Sequence, residues 1–85
     1  MEGMVVYMDL FSEIKSMIEK TLAVDAESVT KEAHLQFDLG ADSMALLTLA
    51  VAISEKYGID LPEEDIAEVE NVGELISMVG SKLGT

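Results

Sequence analysis

The sequence contains no cysteine, no arginine and no tryptophan among its 85 residues. Without cysteine the chain cannot form a disulfide, a thiolate metal site or a cysteine nucleophile. Any thiol chemistry must therefore use a sulfur that is attached from outside. Aromatic side chains make up only 5% of the residues, so Leu, Ile, Val and Met must build the core. This composition favours packed helices over a β-sandwich.

Positive charge is also scarce. Seventeen Asp and Glu residues against five lysines give a formal net charge of −12. Nucleic-acid phosphates and anionic membrane surfaces repel such a chain, which excludes nucleic-acid binding as a function. Basic patches on other proteins and divalent cations should attract it.

Long hydrophobic runs are absent as well. No apolar stretch approaches the roughly 20 residues that a transmembrane helix needs, so we expect no membrane insertion. The chain starts with Met1 and Glu2 and shows no basic segment typical of a signal peptide, so we expect a freestanding protein in the cytoplasm. The length fits one small domain. We predict an N-terminal extension over residues 1–8 and a single domain over residues 9–85.

Two long helices follow from the periodicity of the apolar residues. The first is predicted from about residue 9 to 22, with Asp9 as its N-cap. The second is predicted over 43–57, with Asp42 as its N-cap and Gly58 as its C-terminal stop. This second helix is apolar around most of its circumference, which is typical of a helix at the centre of a core.

Two further helices complete the predicted fold. A short one has Pro62 in its first position and ends near Val69. Asn71 and Glu74 form a capping box that opens the last helix. The sequence therefore predicts an all-α protein, a small four-helix bundle of three longer helices and one short helix.

The connection between the first two helices, residues 23–42, is unusually long. Ordered loops of this length in small domains tend to be functional. We predict that five apolar side chains anchor it to the core: Val24, Val29, Leu35, Phe37 and Leu39. His34, the only histidine, also lies in this loop and receives no role.

The most specific motif is Asp-Leu-Gly-Ala-Asp-Ser-Met at 38–44. It places the Ser43 hydroxyl at a helix N-terminus, where free N–H groups and the helix dipole favour a phosphoester. Asp42 is suited to cap the helix and to hold a divalent cation for an incoming enzyme. Capping alone also explains most Asp-Ser pairs at helix starts. A serine hydrolase is excluded, because the chain has no G-x-S-x-G motif and is too short to build the required pocket.

This motif resembles the D-L-G-x-D-S-L signature of acyl carrier proteins. The resemblance extends to Ala23-Val24-Asp25 with Val29-Thr30, to Leu61-Pro62-Glu63-Glu64, and to Asn71-Val72. It covers about residues 9–83, and the landmarks match together in their spacing. The chain is therefore similar to this family over nearly its whole length.

The resemblance implies a right-handed four-helix bundle in which Ser43 carries 4′-phosphopantetheine. A phosphopantetheinyl transferase takes this arm from coenzyme A in a magnesium-dependent reaction, and the arm's thiol holds acyl groups as thioesters. The carrier itself catalyses nothing and delivers its cargo to acyl-transfer and synthase enzymes. Fatty acid, other lipid and polyketide synthesis all remain open as the pathway.

The resemblance also implies a docking face on the second helix. Met44, Leu47 and Val51 lie on one stripe of this helix and face partner enzymes in the family. Periodicity alone allows the same stripe to be ordinary core. A separate stripe is the candidate inner face: Leu46, Ala50, Ile53 and Tyr57.

The second helix departs from the family in its charges. Ala45, Thr48 and Ser54 stand where fatty-acid carriers usually have acidic residues, which leaves Asp42 and Glu55 as the acidic residues of this face. We therefore expect a specialised carrier whose partners have basic or apolar docking patches.

Negative charge is concentrated instead in residues 60–74, which contain no basic residue. This stretch is either a solvated surface or a shifted docking surface with loose cation sites. It lacks the alternating ligands and central glycine of a calcium-binding loop, so a calcium sensor is rejected.

Two alternatives remain beside the acyl carrier. One is a carrier for aminoacyl or D-alanyl groups, and the other is an unmodified helical adaptor that binds a partner through Met44, Leu47 and Val51. The adaptor tolerates loss of the Ser43 hydroxyl, whereas a carrier does not. We expect a monomer, because like-charged surfaces resist self-association.

Overall fold

The computed structural model describes the backbone of residues 6–84 and the side chains of residues 10–84. Four α-helices follow one another: α1 (Val6–Leu22), α2 (Ser43–Tyr57), α3 (Glu63–Glu68) and α4 (Val72–Lys82). A single turn of 3-10 helix, Ala26–Ser28, lies in the α1–α2 connection. Helix α2 packs against α1 and α3, and α1 also packs against α4. The described residues contain no strand, so the predicted all-α bundle of three longer helices and one short helix is confirmed.

Helix α1 begins earlier than the sequence predicts. It starts at Val6, so Asp9 lies inside the helix and the prediction of Asp9 as its N-cap is wrong. No proline or glycine separates Val6 from Asp9, and nothing therefore stops the helix from extending in the N-terminal direction. The remainder of the predicted N-terminal extension, residues 1–5, lies outside the described residues.

The core is aliphatic, as the composition predicts. Nineteen buried hydrophobic residues from all four helices and the long loop form one cluster, with no buried polar or charged side chain among the described residues. The following side chains are the largest of those that are almost fully buried: Ile14, Ile18, Leu35, Leu49, Ile53, Ile66 and Leu75. None of the described helices combines the length and hydrophobicity that spanning a bilayer requires.

The long loop is pinned to the bundle by side chains and by backbone hydrogen bonds. Val29, Leu35 and Leu39 are buried as predicted, and Val24 packs against the core. The N–H groups of Val72 and Gly73 donate to loop carbonyl oxygens at 3.0 and 2.9 Å, which ties the start of α4 to this loop. The connection is therefore an ordered part of the fold.

Phe37 is the exception among the predicted anchors, because its side chain is 85% exposed. A turn over residues 34–39 sends Leu35 and Leu39 into the core. In one helical turn, positions i and i+4 share a face and position i+2 points away from it. Phe37 is position i+2 of this turn, so the prediction that it anchors the loop is wrong.

The caps of α3 and α4 use the predicted residues, but two details differ. Pro62 lies one position earlier in its helix, and Glu74 bonds to the Glu70 N–H instead of the N–H of the N-cap Asn71. Pro62 is the N-cap of α3, one position before the predicted place, with an extended backbone. At α4 the Asn71 side chain accepts from the Glu74 N–H at 2.9 Å. The Glu74 carboxylate in turn accepts from the Glu70 N–H at 2.9 Å, and the pair thus fixes the entry into α4.

Candidate functional site

The N-terminus of α2 presents Ser43 to solvent. Asp42 is the N-cap, and its Oδ1 accepts a hydrogen bond from the Ala45 N–H at 2.8 Å. Ser43 is the first helical residue, and its exposed side chain makes no hydrogen bond within the described part of the chain. Helix α2 ends at Gly58, whose backbone has a φ of 65° and a ψ of 36°. This left-handed conformation is favoured by glycine and is common at helix C-termini. Both predicted caps of this helix are confirmed.

The local electrostatics at Ser43 suit a negatively charged substituent. The N–H groups of Ser43 and Met44 belong to the first turn and lack an acceptor one turn earlier. Beyond the N-cap Asp42, the first turn of α2 contains no acidic residue, so the carboxylate of Asp42 is the one negative charge that the helix itself places at this end. The hydroxyl, the N–H groups and the dipole together fit a phosphodiester at Ser43.

A hydrogen-bonded turn leads into this site, and His34 organises it. His34 Nδ1 accepts from the Gln36 and Phe37 N–H groups at 3.1 and 3.2 Å. The His34 carbonyl accepts from the Asp38 and Leu39 N–H groups, and the Asp38 carboxylate accepts from the His34 N–H at 2.7 Å. The turn is thus closed by both backbone and side-chain bonds.

His34 and Phe37 are the residues that sequence reasoning missed at this site. The Phe37 ring stacks on the His34 ring with centroids 4.4 Å apart. Two features could have identified them: the i, i+4 spacing of Leu35 and Leu39, which directs Phe37 outward, and a histidine preceding the turn, where its ring nitrogen can accept backbone hydrogen bonds.

Helix α2 carries two apolar stripes that face opposite environments. Leu46, Ala50 and Ile53 are almost completely buried, and Tyr57 is half-buried at the same face. The other stripe is exposed to solvent, with 70% of Met44, 45% of Leu47 and 47% of Val51 accessible. Periodicity alone left open whether this second stripe is core, and the structure places it outside.

Three positions of α2 at which the family resemblance leads us to expect acids have neutral side chains here. Ala45 and Thr48 lie on the helix between Asp42 and the exposed Glu55. Ser54 has a structural role, because its Oγ accepts from the Leu61 N–H at 3.2 Å and donates to the Leu61 carbonyl at 3.3 Å. This pair of bonds fastens the end of α2 to the segment that precedes α3.

The acidic stretch 60–74 is partly used within the fold. Asp65 on α3 pairs with Lys82 on α4 at 3.6 Å, and Glu74 caps the backbone as described above. No three acidic or histidine side chains of the described residues converge as metal ligands do. The charges of this stretch are therefore spread over the surface.

An open groove of about 970 Å³ lies between α1, the long loop and α4. Phe11, with the Lys31 ammonium 5.7 Å from its ring centre, is at one side of the groove, and Met78 is among the α4 residues that line it. No lining residue comes from α2. The groove is thus separate from the Ser43 site.

The chain is similar to known proteins over most of its length. A family described as a phosphopantetheine attachment site matches residues 12–79. An acyl carrier protein of Thermotoga maritima is 38% identical over 76 residues, which cover 89% of this chain and 94% of the relative. Acyl carrier proteins of Helicobacter pylori strain G27 and Helicobacter acinonychis are 40% and 42% identical over 72 residues, covering 85% of this chain and 92% of each relative.

The family match spans Ser43 and both ends of α2, and the relatives match nearly end to end. The name that these relatives share describes carriers of acyl groups. The geometry at α2 accommodates the group that the family description names. The chain belongs to the acyl carrier protein family, whose members hold acyl groups as thioesters on a covalently attached 4′-phosphopantetheine.

Proposed function

We propose that Ser43 is the residue that carries 4′-phosphopantetheine. The observation that supports this assignment is an exposed, unbonded hydroxyl at the first position of α2, inside the sequence Asp-Leu-Gly-Ala-Asp-Ser-Met. The N–H groups of Ser43 and Met44 would hold the phosphate, and the helix dipole would offset part of its charge. When bound, the arm supplies the thiol that this cysteine-free chain lacks.

Asp42 has two roles in this proposal. Its Oδ1 caps α2, whereas its Oδ2 makes no hydrogen bond or ion pair with any described residue. A carboxylate oxygen next to the acceptor hydroxyl suits Mg²⁺, which prefers oxygen ligands and retains several waters. Asp42 would thus help to position the cation that an incoming transferase uses.

Partner enzymes would dock on the exposed stripe of α2 that Met44, Leu47 and Val51 form, with Glu55 at its far end. These positions are solvent-exposed although they are apolar, and they extend from the proposed attachment site along the helix. The neutral Ala45 and Thr48 make this surface less acidic than that of fatty-acid carriers. This difference supports partners that contact the carrier through apolar as well as basic patches.

For the pathway, we propose the class of cargo and leave the particular biosynthesis open. The relatives are named acyl carrier proteins, which supports acyl cargo over aminoacyl or D-alanyl cargo. Fatty acid synthesis is consistent with these relatives, and other lipid or polyketide synthesis suits the specialised α2 surface. We further propose that the chain acts as a monomer, catalyses no step itself and works in the cytoplasm.

Intact-mass analysis tests the attachment site. The unmodified protein is incubated with coenzyme A, Mg²⁺ and a broad-specificity phosphopantetheinyl transferase. The wild type and a Ser16→Ala control, which removes an exposed serine of α1, should each gain one phosphopantetheine. Ser43→Ala should gain none and remain folded, because the Ser43 side chain makes no hydrogen bond in the described structure. Modification of Ser43→Ala would refute the site, and no gain on an unmodified wild type would refute the proposal as a whole.

A further inference from the structure

Exposed apolar residues are concentrated on one short part of this chain. Among the described residues, the large hydrophobic side chains exposed to solvent are Phe37, Met44, Leu47 and Val51, and all four lie between residues 37 and 51. Phe37 is the most exposed of them, and it is the only one outside α2. Single exposed apolar residues need no explanation, but a group of four around the proposed attachment serine indicates a contact surface.

The Phe37 ring is held in a defined position despite its exposure. Its own N–H donates to His34 Nδ1, and its ring stacks on the His34 ring with centroids 4.4 Å apart. On either side of the turn, Leu35 and Leu39 are buried, and the Ala41 N–H donates to the Leu35 carbonyl at 2.9 Å. A stacking contact that favours one ring position in the free protein reduces the entropy lost on binding.

Phe37 and Ser43 are close enough to be covered by one partner. They are six positions apart in the sequence, so their Cα atoms are at most about 22 Å apart even in a fully extended chain. An interface of standard size covers about 800 Å² on each partner, a patch roughly 30 Å across. A patch of this size is wide enough to include both residues.

The transferase is the partner that must contact this surface most closely. A synthase meets its cargo at the far end of the arm, whereas the transferase must bring the Ser43 hydroxyl itself to its catalytic centre. The side chains nearby indicate the chemistry of its contact: Asp38 and Asp42 are acidic, and the four exposed apolar side chains lie around them. An apolar pocket suits Phe37 itself, and basic residues of the partner would meet the neighbouring carboxylates.

We propose that Phe37, held in place by His34, is a specificity-determining contact that enters an apolar pocket of the phosphopantetheinyl transferase. This inference rests on the proposed modification of Ser43. It extends the docking surface from α2 onto the loop, and it assigns a role to the exposed Phe37 ring, which the core does not use.

Steady-state kinetics of the transfer reaction test the proposal, with the unmodified carrier as the varied substrate. Phe37→Ala should raise KM about tenfold, the size expected for truncating an aromatic interface anchor, and leave kcat unchanged. Phe37→Leu keeps a large apolar side chain and should give a KM between those of Phe37→Ala and the wild type. His34→Ala should raise KM by a smaller factor because the ring is then less well held. Met78→Ala on α4 is the control for loss of a large apolar side chain elsewhere.

Salt distinguishes an apolar contact from a charged one. The ratio of KM between Phe37→Ala and wild type should be the same at about 0.05 M and about 0.5 M salt, because screening acts on charges. A ratio that disappears at high salt, or a Phe37→Ala protein with the KM of the wild type, overturns the inference. Failure of the wild type to accept the arm refutes the proposed function instead, so the two failures are distinguishable. Thermal unfolding checks that each variant is folded.

Discussion

At the residue scale, one hydrogen bond joins the end of α2 to α1. The Tyr57 hydroxyl donates to Glu13 Oε1 at 2.6 Å, between residues 44 positions apart in the sequence. Burial raises the pKa of Tyr57 above its ordinary range, and the hydrogen bond and the negative charge of Glu13 raise it further. The folded protein therefore retains the phenol proton at a pH where an unfolded chain releases it.

Tyr57→Phe should remove this bond and nothing else. At neutral pH we expect the free energy of unfolding to fall by about 1 kcal/mol. Above pH about 10, the unfolded wild type loses the Tyr57 proton while the folded form keeps it, so the wild type becomes less stable as the pH rises. The variant has no Tyr57 proton to lose. The difference in the free energy of unfolding between wild type and variant, the stability gap, should therefore become smaller as the pH rises.

Urea unfolding of both proteins across this pH range measures the gap. A gap that stays constant from neutral pH to above the ordinary pKa of tyrosine would contradict the assignment of the raised pKa to the folded state.

The residue scale is also where prediction from sequence was least complete. The motif around Ser43 identified the candidate site, because the chemistry of a helix start can be read from its residue types. Phe37 was placed in the core because it is large and apolar. Its actual position depends on the turn, which buries Leu35 and Leu39 and directs the residue between them outward. The ring of His34 stabilises that turn, and its hydrogen-bond partners exist only after the loop has folded.

At the element scale, α2 depends on Asp42 for its first turn. Asp42→Ala removes the acceptor for the Ala45 N–H and should lower the free energy of unfolding by about 1 kcal/mol. Asp42→Asn keeps an oxygen in the same place and should unfold close to the wild type. If the carboxylate also positions Mg²⁺, both variants should accept phosphopantetheine more slowly than the wild type.

Denaturant unfolding and the initial rate of transfer, measured on the same samples, separate the two roles of Asp42. The Asn variant is the informative one because it loses charge without losing the cap. A wild-type transfer rate for Asp42→Asn would show that Asp42 acts as a helix cap alone.

The bounds of a helix can be predicted from the sequence when particular residues specify its ends. Asp42 specifies the start of α2 because its side chain supplies a hydrogen-bond acceptor for the first turn. Gly58 specifies the end because its backbone adopts a left-handed conformation. The start of α1 has no comparable feature near Asp9. The predicted helix therefore began three residues late, whereas α2 had the bounds that its caps predict.

At the scale of the whole molecule, net charge opposes folding. The described chain has a radius of gyration of 11.9 Å and its longest extent is 36 Å, so its excess of negative charges is held close together. Two ion pairs among the described residues, Lys15–Glu19 and Asp65–Lys82, offset little of this repulsion. At about 0.01 M salt the screening length is roughly 30 Å, which lets charges on opposite sides of the protein repel each other.

Salt should therefore stabilise the protein. We expect Tm to rise by about 5 °C between about 0.01 M and about 0.2 M NaCl, the shift that roughly 1 kcal/mol produces in a domain of this size. Screening depends on ionic strength, so MgCl₂ acting by screening alone should raise Tm as far as NaCl does. Thermal scans in NaCl and MgCl₂ at matched ionic strength should then give the same Tm. A Tm independent of salt would show that the negative charges are already compensated, and a larger rise with MgCl₂ would place a bound cation on the folded protein.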